Sequence, residues 1–532
     1  MTTSDVETAG HLVLDQPAPA STTDTVRVRV MRDMAVLGAS RYVVFAVSFV
    51  VGLVQKRWLG PYLVGVWQAL SLARQYLSYA DLGVARGLER DLPTYYATNN
   101  PQLERVRDAG CTAIVALNVG LVFLAAAIGW GWLGALDLSL AWGLRLMAVV
   151  AVIEATVNAL ESAVLRSNNR FGPVSQMFVG SELLFAACSL PAIILWGVYG
   201  LVVSVLASLL LKLVLLRAYG ARAVKVAWDG RIAWALWKFG FPLTMFVILF
   251  KVFDTVDRLA LLGTGQLEAV GLYSVATMAV VMLSQLPLAI SQVLFPRTIA
   301  QVASGASEQT ARFVSHAQSG VLMAMILAVG GIGFVFPELV RLLLPEFVAG
   351  IPALKVGVWS MLFVGLVYVP IQSIQAVQGS GAVTTQWKLF AVGAVVGGGY
   401  YAASRVLLHR IAAQTTLLTV MAAGRVAAYA VLWLALALWM AWTLRSLQLA
   451  RQIGSQALVC AYMILCYFVI DRLLPGASGG LGSGVARAAA GLGLLLAAAA
   501  PAVIAIERGT GLFQTAANAW REQLGMRRWR RA

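Results

Sequence analysis

The chain has 532 residues, of which 60% are hydrophobic and only 12% charged, and its mean hydropathy is +0.80. Soluble domains carry about 25% charged residues, so this composition excludes a water-soluble protein and any large soluble domain. A membrane-spanning helix needs roughly 20 apolar residues, which leaves room for a dozen or more spans. The net charge of +16 does not indicate nucleic acid, because Lys and Arg beside membrane spans normally set topology.

The sequence carries no pattern for metal, cofactor or nucleotide chemistry. The four cysteines lie in apolar stretches without CxxC spacing, and there are only three histidines. No metal site, cofactor or disulfide framework is therefore predicted. There is no G-x-x-x-x-G-K-[ST] motif, and the longest internal connections, 85–108 and 220–235, are too short for a catalytic domain. We expect a protein that is not an enzyme.

Apolar runs bounded by charges, Pro and Gly predict fourteen transmembrane helices and an all-α membrane protein. Their predicted limits are 34–56, 63–84, 109–131, 140–165, 174–196, 198–219, 236–262, 270–293, 315–336, 352–376, 387–407, 412–443, 453–473 and 485–506. Residues 1–33 then form an N-terminal tail that begins as a polar, disordered stretch, and residues 507–532 form a basic C-terminal tail.

The distribution of Lys and Arg predicts the orientation. Loops that follow even-numbered helices are rich in these residues, whereas the connections 132–139, 197–200 and 263–269 contain none. Cytoplasmic loops carry the excess of Lys and Arg, so both termini are predicted to be cytoplasmic. Residues 512–532 mix Leu, Phe and Trp with clustered Arg, which fits either a helix on an anionic membrane surface or a frayed basic tail.

Two segments of the chain repeat a pattern. RWLGPYLVGVW (57–67) and LALLGTGQLEAVGLY (259–273) each place a Leu-Gly pair at the end of one helix and a Gly-x-aromatic at the start of the next. A proline, Pro93 or Pro296, follows in each copy. Six helices, an even number, separate the copies, so both would have the same orientation in the membrane. The repeat predicts two lobes around a central cleft.

Several motifs together resemble a known family. They are LGPYLVG with DLGVARGLERDLPTY (81–95), KFGFPL (238–243), DTVDRLALLG (254–263), LFPR (294–297) and LPEFVAGIPALKV (344–356). On these motifs the chain resembles the Wzx-type lipid-linked oligosaccharide flippases and related polysaccharide biosynthesis proteins of the multidrug/oligosaccharidyl-lipid/polysaccharide exporter superfamily. The resemblance implies a MATE-like fold with two pseudo-symmetric six-helix lobes, 34–222 and 223–443, and two extra helices within 444–506.

The resemblance also implies a function. A protein of this kind would translocate a polyprenyl-diphosphate-linked oligosaccharide from the cytoplasmic to the outer leaflet of the bacterial cytoplasmic (inner) membrane. It would do so by alternating access, for export of a surface polysaccharide. The expected partners are the lipid-linked oligosaccharide, membrane lipids and a polysaccharide polymerase, with no nucleic acid.

Charged side chains inside the seventh predicted helix mark one candidate site. Lys251, Asp254, Asp257 and Arg258 fall within an arc of about 120° on a helical wheel. Ionisable groups within membrane spans normally face protein or water and mark a pathway. Lys251 or Arg258 would contact a diphosphate, and Asp254 or Asp257 would take a coupling proton or sodium ion. The alternative is a structural ion-pair cluster with no role in transport.

A polar stripe on the second predicted helix marks a second candidate site. Gln68, Gln75, Tyr79 and Arg86 lie within about 40° of one another on a wheel. The stripe would suit sugar hydroxyls, with Arg86 at the cytoplasmic mouth. The alternative is a helix–helix interface in which Arg86 extends to the membrane surface.

Isolated ionisable groups complete the set of candidates. Arg41 and Arg425 are isolated intramembrane cations, and Arg425 has no acid within four residues, so it needs a carboxylate from another helix or an anionic ligand. Glu154 and Glu182 are candidate ion-coupling groups or neutral interface groups. If Arg258 and Arg425 bind substrate, alanine at either position should abolish transport while protein level stays normal.

Two other functions remain open within the same superfamily. A peptidoglycan lipid-precursor flippase would share the fold and the handling of a diphosphate. A cation-coupled multidrug exporter would favour an acid-rich cavity, whereas the intramembrane cations here favour an anionic cargo. A membrane glycosyltransferase or polymerase would usually have a long outer loop, and the outer connections here are short.

Overall fold

A computed structural model describes residues 20–98, 100–133, 138–168, 171–219, 224–303, 307–378, 383–411, 413–474 and 481–510. Within these ranges the side chains of 20–43 and 288–303 and of several helix ends are outside the description. All regular structure in the described ranges is helical, which confirms the predicted all-α class. Below, the N-terminal half means the described residues up to 219, and the C-terminal half means those from 224 onward.

The N-terminal half contains six α-helices and one π-helical segment among its described residues. They are α1 (Ala20–Leu77), α2 (Val84–Ala97), α3 (Leu103–Leu133), α4 (Leu138–Glu161), the π-helix Ser162–Arg166, α5 (Phe171–Trp196) and α6 (Val198–Ala218). Helix α1 begins at Ala20, well before the predicted start at 34, and changes direction at Gly60, where φ is +68°.

The described C-terminal half contains ten α-helices and one short 3-10 helix. They are α7 (Gly230–Phe253), α8 (Val256–Leu262), α9 (Leu267–Ala303), α10 (Ser307–Leu343), the 3-10 helix Pro345–Gly350, α11 (Ile351–Gly357), α12 (Ser360–Gln378), α13 (Val383–Arg410), α14 (Gln414–Thr443), α15 (Leu447–Leu473) and α16 (Leu481–Thr510).

The predicted count of fourteen membrane spans is approximately consistent with the structure. Twelve segments of the described residues are long and apolar enough to cross a membrane, from Leu103–Leu124 to Gly482–Ile504. They coincide with the third to fourteenth predicted helices. The first predicted helix and most of the second lie within α1, on either side of the bend at Gly60.

Two of the predicted continuous helices are broken. The second, predicted over 63–84, ends at Leu77 and is followed by turns until α2 starts at Val84. The seventh, predicted over 236–262, is divided into α7 and α8 at Asp254 and Thr255. Neither Asp254 nor Thr255 is a helix-breaking residue, and their side-chain contacts, described below, stabilise the break in place of helical hydrogen bonds.

Glycines allow the two halves to approach at two crossings. At the first, a Cβ on Gly65 would lie 1.8 Å from the Leu267 carbonyl oxygen, and one on Gly271 would lie 1.7 Å from that of Pro61. Each glycine therefore faces the carbonyl that precedes the other by four residues. We call this contact between α1 and α9 the far-side crossing. Gly65 and Gly271 are the equivalent glycines of the sequence repeat.

The second crossing repeats this geometry between α2 and α7. A Cβ on Gly240 would lie 1.8 Å from the Gly83 carbonyl oxygen, and one on Gly87 would lie 2.4 Å from that of Leu236. We call this contact the tail-side crossing. Small residues at such positions let helix backbones pack closely, as is common in membrane proteins. The two halves thus meet backbone to backbone at both ends of their interface.

An ion-pair network attaches the last two helices to the C-terminal half. Asp471 of α15 accepts hydrogen bonds from Lys355 Nζ at 2.6 Å and from Arg487 Nη2 of α16 at 3.0 Å. Arg487 also lies 3.8 Å from Glu338 of α10, which pairs with Arg341. The side chains of Lys355, Asp471 and Arg487 are each less than one-fifth exposed.

Replacement of Asp471 tests the contribution of this network. Asp471→Ala leaves the Lys355 and Arg487 cations without their shared carboxylate, and hydrogen bonds to charged groups contribute about 2 kcal/mol each. We expect a lower apparent unfolding temperature of the purified protein in detergent. Arg472→Ala, at the exposed neighbouring position, is the matched control and should unfold like the wild type. Equal unfolding temperatures for all three proteins would contradict the assignment.

Candidate functional site

The break between α7 and α8 places a free backbone carbonyl at the interface of the two halves. The Asp254 carbonyl oxygen accepts hydrogen bonds from Arg425 Nη1 at 2.9 Å and from Arg258 Nη2 at 3.2 Å. Non-helical backbone within a membrane protein persists only where protein or water satisfies it, and here two guanidinium groups do so. The loss of helical pairing at Asp254 is thereby compensated.

Arg425 is held by both aspartates of the seventh predicted helix. Its Nη2 lies 3.0 Å from Asp254 Oδ1 and its Nη1 lies 3.4 Å from Asp257 Oδ2. Two tyrosines complete the carboxylate contacts: Tyr429 donates to Asp254 Oδ1 at 2.5 Å, and Tyr273 donates to Asp257 Oδ2 at 2.6 Å. The Arg425 and Asp257 side chains are 2% and 0% exposed, whereas Asp254 is 40% exposed.

Of the two possibilities that the sequence left open for Arg425, the structure shows the first, a carboxylate on another helix. Sequence distance hid this pairing, because Asp254 and Asp257 precede Arg425 by 171 and 168 residues. The tyrosine partners were also missed, since neither Tyr273 nor Tyr429 stands out among the aromatic residues of an apolar helix.

Two cations of the cluster have no carboxylate partner among the described residues. Arg258 donates from Nη1 to Gln68 Oε1 at 3.2 Å and from Nη2 to the Asp254 carbonyl, while its buried Nε has no hydrogen-bond partner. Lys251, on the last turn of α7, is half-buried, and its side chain makes neither an ion pair nor a hydrogen bond with the described residues. The cluster holds three cations and two acids, so its formal charge is +1.

The N-terminal half contributes polar groups that face this cluster. Gln68 contacts Arg258 directly, and Tyr76 forms a hydrogen bond with Thr255 at the helix break. Gln75 has a buried Oε1 without a hydrogen-bond partner. The predicted stripe therefore contacts the seventh predicted helix through Gln68. Tyr76, which the helical wheel did not select, also contacts this region.

The last two residues of the predicted stripe, Tyr79 and Arg86, do not lie on α1 with Gln68 and Gln75. Tyr79 lies in the turn after α1, and Arg86 lies on α2, where it pairs with Glu89 at 3.1 Å. The helical wheel was wrong beyond Leu77 because it assumed one continuous helix. Arg86 is half-exposed and lies near the tail-side crossing rather than beside Gln68.

The remaining predicted site residues lie away from the cluster. Glu154 pairs with Arg74 at 3.3 Å, and Glu182 accepts a hydrogen bond from Ser48. Both contacts are made within the N-terminal half. The side chain of Arg41 lies outside the described residues.

Comparisons with known proteins agree with this architecture. Residues 114–346 match the family model described as "Polysaccharide biosynthesis protein". No curated protein matches the chain. Among solved structures, the lipid II flippase MurJ in an inward closed conformation is similar with a TM-score of 0.63 at 11% identity, over 87% of this chain and 97% of that one.

Two further solved structures show the same fold. An inward-facing MATE-family multidrug resistance transporter of the MOP superfamily gives a TM-score of 0.59 at 13% identity, over 75% of this chain and 95% of that one. A MOP superfamily transporter from Pyrococcus furiosus with a binding pocket of reverse polarity gives a TM-score of 0.53 at 15% identity, over 77% of this chain and 96% of that one. At these identities the structural likeness establishes the fold.

The predicted resemblance is confirmed by the family match together with the fold. The chain is a multi-pass helical membrane protein with a MATE-like fold, and its residues 114–346 are similar to the polysaccharide biosynthesis protein family.

Proposed function

We propose that the protein is a flippase that moves a polyprenyl-diphosphate-linked oligosaccharide from the cytoplasmic to the outer leaflet of the bacterial cytoplasmic membrane. The observation that carries the proposal is the net positive cluster at the interface of the halves, in which Lys251 and Arg258 have no carboxylate partner. A diphosphate needs this kind of environment, because an unpaired anion in hydrocarbon is strongly disfavoured.

The two cations would act on different parts of the headgroup. Arg258 presents a guanidinium group, which forms bidentate hydrogen bonds with phosphate, and Lys251 offers a compact charge about two turns earlier in the chain. The amide and hydroxyl groups of Gln68, Gln75 and Tyr76 would then face the sugar. The lipid tail can stay in the bilayer while the headgroup crosses.

We assign a structural role to Arg425 and its two aspartates. Arg425 is nearly enclosed and its guanidinium contacts both carboxylates, so the three groups stabilise the α7–α8 break. This assignment selects the structural alternative for Asp254 and Asp257 over ion coupling. Arg258, which this arrangement aims toward Gln68, would be the substrate contact that depends on it.

The proposed topology follows from the charge distribution of the loops. Both termini would be cytoplasmic, which puts the tail-side crossing at the cytoplasmic end and the far-side crossing at the outer end. The N-lobe (34–222) and C-lobe (223–443) would alternate access around the cluster, with 444–506 as an added helix pair. A polysaccharide polymerase would receive the product at the outer face.

Substitution of the unpaired cations tests the substrate site. Lys251→Ala and Arg258→Ala should each lower translocation of a polyprenyl-diphosphate oligosaccharide in proteoliposomes at least tenfold, because each removes a charge that no neighbouring group replaces. Protein level and unfolding temperature should change little, because Arg425 still donates to the Asp254 carbonyl in Arg258→Ala. The double variant should be inactive, and Arg258→Lys should recover only part of the activity, since Lys cannot form the bidentate contact.

Arg105→Ala provides the matched control for loss of a cation. Arg105 is 71% exposed and pairs with Asp229 at 2.7 Å. Its hydrogen bonds are the main cause of the lowered pKa of Asp229, which precedes α7 outside the membrane spans. This variant should translocate at the wild-type rate. Normal translocation by both Lys251→Ala and Arg258→Ala would refute the proposed site, and export of a cationic dye without lipid translocation would favour the multidrug alternative.

A further inference from the structure

A polar cavity lies in the N-terminal half, separate from the central cluster. Its volume is about 220 Å³, and it is lined by residues of α2, α3, α4, the π-helix and the turn before α2. Its polar lining includes Ser78, Asp81, Glu89, Asn118, Asn158 and Ser162. None of these residues was predicted from the sequence to be a site residue, and the proposed translocation does not use them.

Asn118 supplies a buried acceptor that lacks a donor. The side chain is 0% exposed and its Nδ2 donates to the Ile114 carbonyl at 2.8 Å. The Ile114 carbonyl can only accept a hydrogen bond, so it must face the NH₂ group of Asn118, and this fixes the orientation of the Asn118 amide. The Asn118 Oδ1 is then left without a hydrogen-bond partner. A buried unsatisfied acceptor costs about 1–3 kcal/mol, and a bound cation would remove that cost.

Asp81 supplies the charge. It is 6% exposed, and none of the described Lys or Arg residues forms an ion pair with it. Its Oδ2 accepts a hydrogen bond from the Ala85 amide at 2.7 Å, at the start of α2. Backbone amides at this helix start, among them those of Ala85 and Gly83, hydrogen-bond the carboxylate, and Arg86 attracts it without forming an ion pair.

The other charged groups of the cavity neutralise one another or their neighbours. Glu89 pairs with Arg86 at 3.1 Å and accepts a hydrogen bond from Ser162 at 2.9 Å. Arg166 pairs with Glu161 at 2.6 Å. After these pairs are counted, the formal charge of the cavity is −1, from Asp81. One negative charge among neutral oxygen donors matches a monovalent cation, whereas Ca²⁺ sites normally have more carboxylate ligands.

The surrounding backbone also fits a binding site. The π-helix Ser162–Arg166 forms one wall, and such segments occur frequently at functional sites. In this segment the Ser162 carbonyl accepts hydrogen bonds from both the amide and the hydroxyl of Ser167, at 3.0 and 2.7 Å. The oxygen atoms that could coordinate an ion in the cavity belong to carboxylate, amide and hydroxyl groups, and such oxygens prefer hard cations.

We infer that this cavity binds a monovalent cation, with Na⁺ as the expected ion, through the Asp81 carboxylate and the Asn118 amide oxygen. Asp81 lies two residues before Gly83, whose carbonyl contacts Gly240 in the tail-side crossing. Occupancy of the site would therefore stabilise the turn that joins the two halves at this end. Ion binding stands on the cavity alone, whereas a role in coupling rests on the proposed function.

Equilibrium binding of radioactive Na⁺ to the full chain in nanodiscs tests the site, with choline keeping the ionic strength constant. The wild type should bind about one Na⁺ per chain saturably, and Asp81→Asn should weaken the affinity at least tenfold. Asn118→Ala removes the acceptor without changing charge, so it should also weaken binding if Asp81→Asn fails to fold. Asp91→Asn, an exposed acid on the same helix α2, is the control and should bind normally.

Several results would overturn the inference. They are absence of saturable Na⁺ binding by the wild type, wild-type affinity in both Asp81→Asn and Asn118→Ala, and displacement of Na⁺ by equimolar Ca²⁺. A translocation assay separates this inference from the proposed function. Na⁺ binding that depends on Asp81, in a protein that moves no lipid-linked sugar, would contradict the proposed flippase function and support the cation site. Translocation with no Na⁺ binding would support the flippase function and contradict the cation site.

Discussion

Arg425→Ala is expected to leave little folded protein in the membrane. Asp257 is 0% exposed, so loss of the guanidinium would leave a buried carboxylate whose remaining side-chain partner is the Tyr273 hydroxyl. Removing one member of a buried ion pair costs about 3–5 kcal/mol. That is a large fraction of the 5–15 kcal/mol that typically separates folded and unfolded protein. We expect a lower protein level and a markedly lower apparent unfolding temperature in detergent.

Neutralisation of the unpaired Asp257 carboxylate should restore much of the stability that Arg425→Ala loses. In Arg425→Ala/Asp257→Asn the buried anion becomes a neutral amide, so the double variant should be more stable than Arg425→Ala alone. Asp254 needs no such change, because it is 40% exposed and can be hydrated. Arg410→Ala, at the exposed end of α13, controls for loss of an arginine and should be near wild type. If Arg425→Ala instead unfolds like the wild type and only translocation is lost, Arg425 is a substrate contact.

The sequence left two possibilities open for Arg425, a carboxylate from another helix or an anionic ligand, and it could not identify the partner for a physical reason. Its acid partners are distant in the chain, and a helical wheel reports only neighbours within one helix. The wheel did identify the correct face of 251–258, because the four charged groups cluster even though the helix breaks there. The break itself could not be predicted, since Asp254 and Thr255 lack the signature of Pro or Gly and the compensating donors come from α8 and α14.

The architecture was more accessible to sequence reasoning than the site. Length, hydropathy and the distribution of apolar runs are local properties, so the positions of the spans followed directly. The cation cavity was inaccessible for the opposite reason. Asp81 and Asn118 are ordinary residues on separate elements, and only the three-dimensional arrangement shows that one is unpaired and the other lacks a donor.

The glycine repeat connects sequence and mechanism most directly. Short Leu-Gly matches are common by chance, yet Gly65 and Gly271 proved to be reciprocal partners in one crossing. The tail-side crossing has the same four-residue spacing, with Gly240 four residues after Leu236 and Gly87 four after Gly83. If access alternates, the two crossings cannot both remain closed, because each closes one end of the path between the halves.

Addition of a single methyl group at each crossing should therefore bias the protein toward opposite open states. Gly240→Ala should open the tail side and Gly271→Ala the far side, because the new Cβ would lie 1.8 or 1.7 Å from a carbonyl oxygen. Each variant should lose at least tenfold in translocation rate. Both glycines lie within helices, where Ala is favoured by about 1 kcal/mol, so local helix propensity cannot explain a loss.

Thiol accessibility distinguishes the two trapped states. With the four native cysteines replaced, a reporter Phe239→Cys at the tail-side crossing, where Arg90 lies 3.6 Å from the ring, should react faster in Gly240→Ala. A reporter Leu267→Cys should react faster in Gly271→Ala. Gly398→Ala is the matched control, since no atom lies within 4 Å of a Cβ at that position of α13. Unchanged reactivity and wild-type translocation in both crossing variants would mean that these contacts do not separate during the cycle.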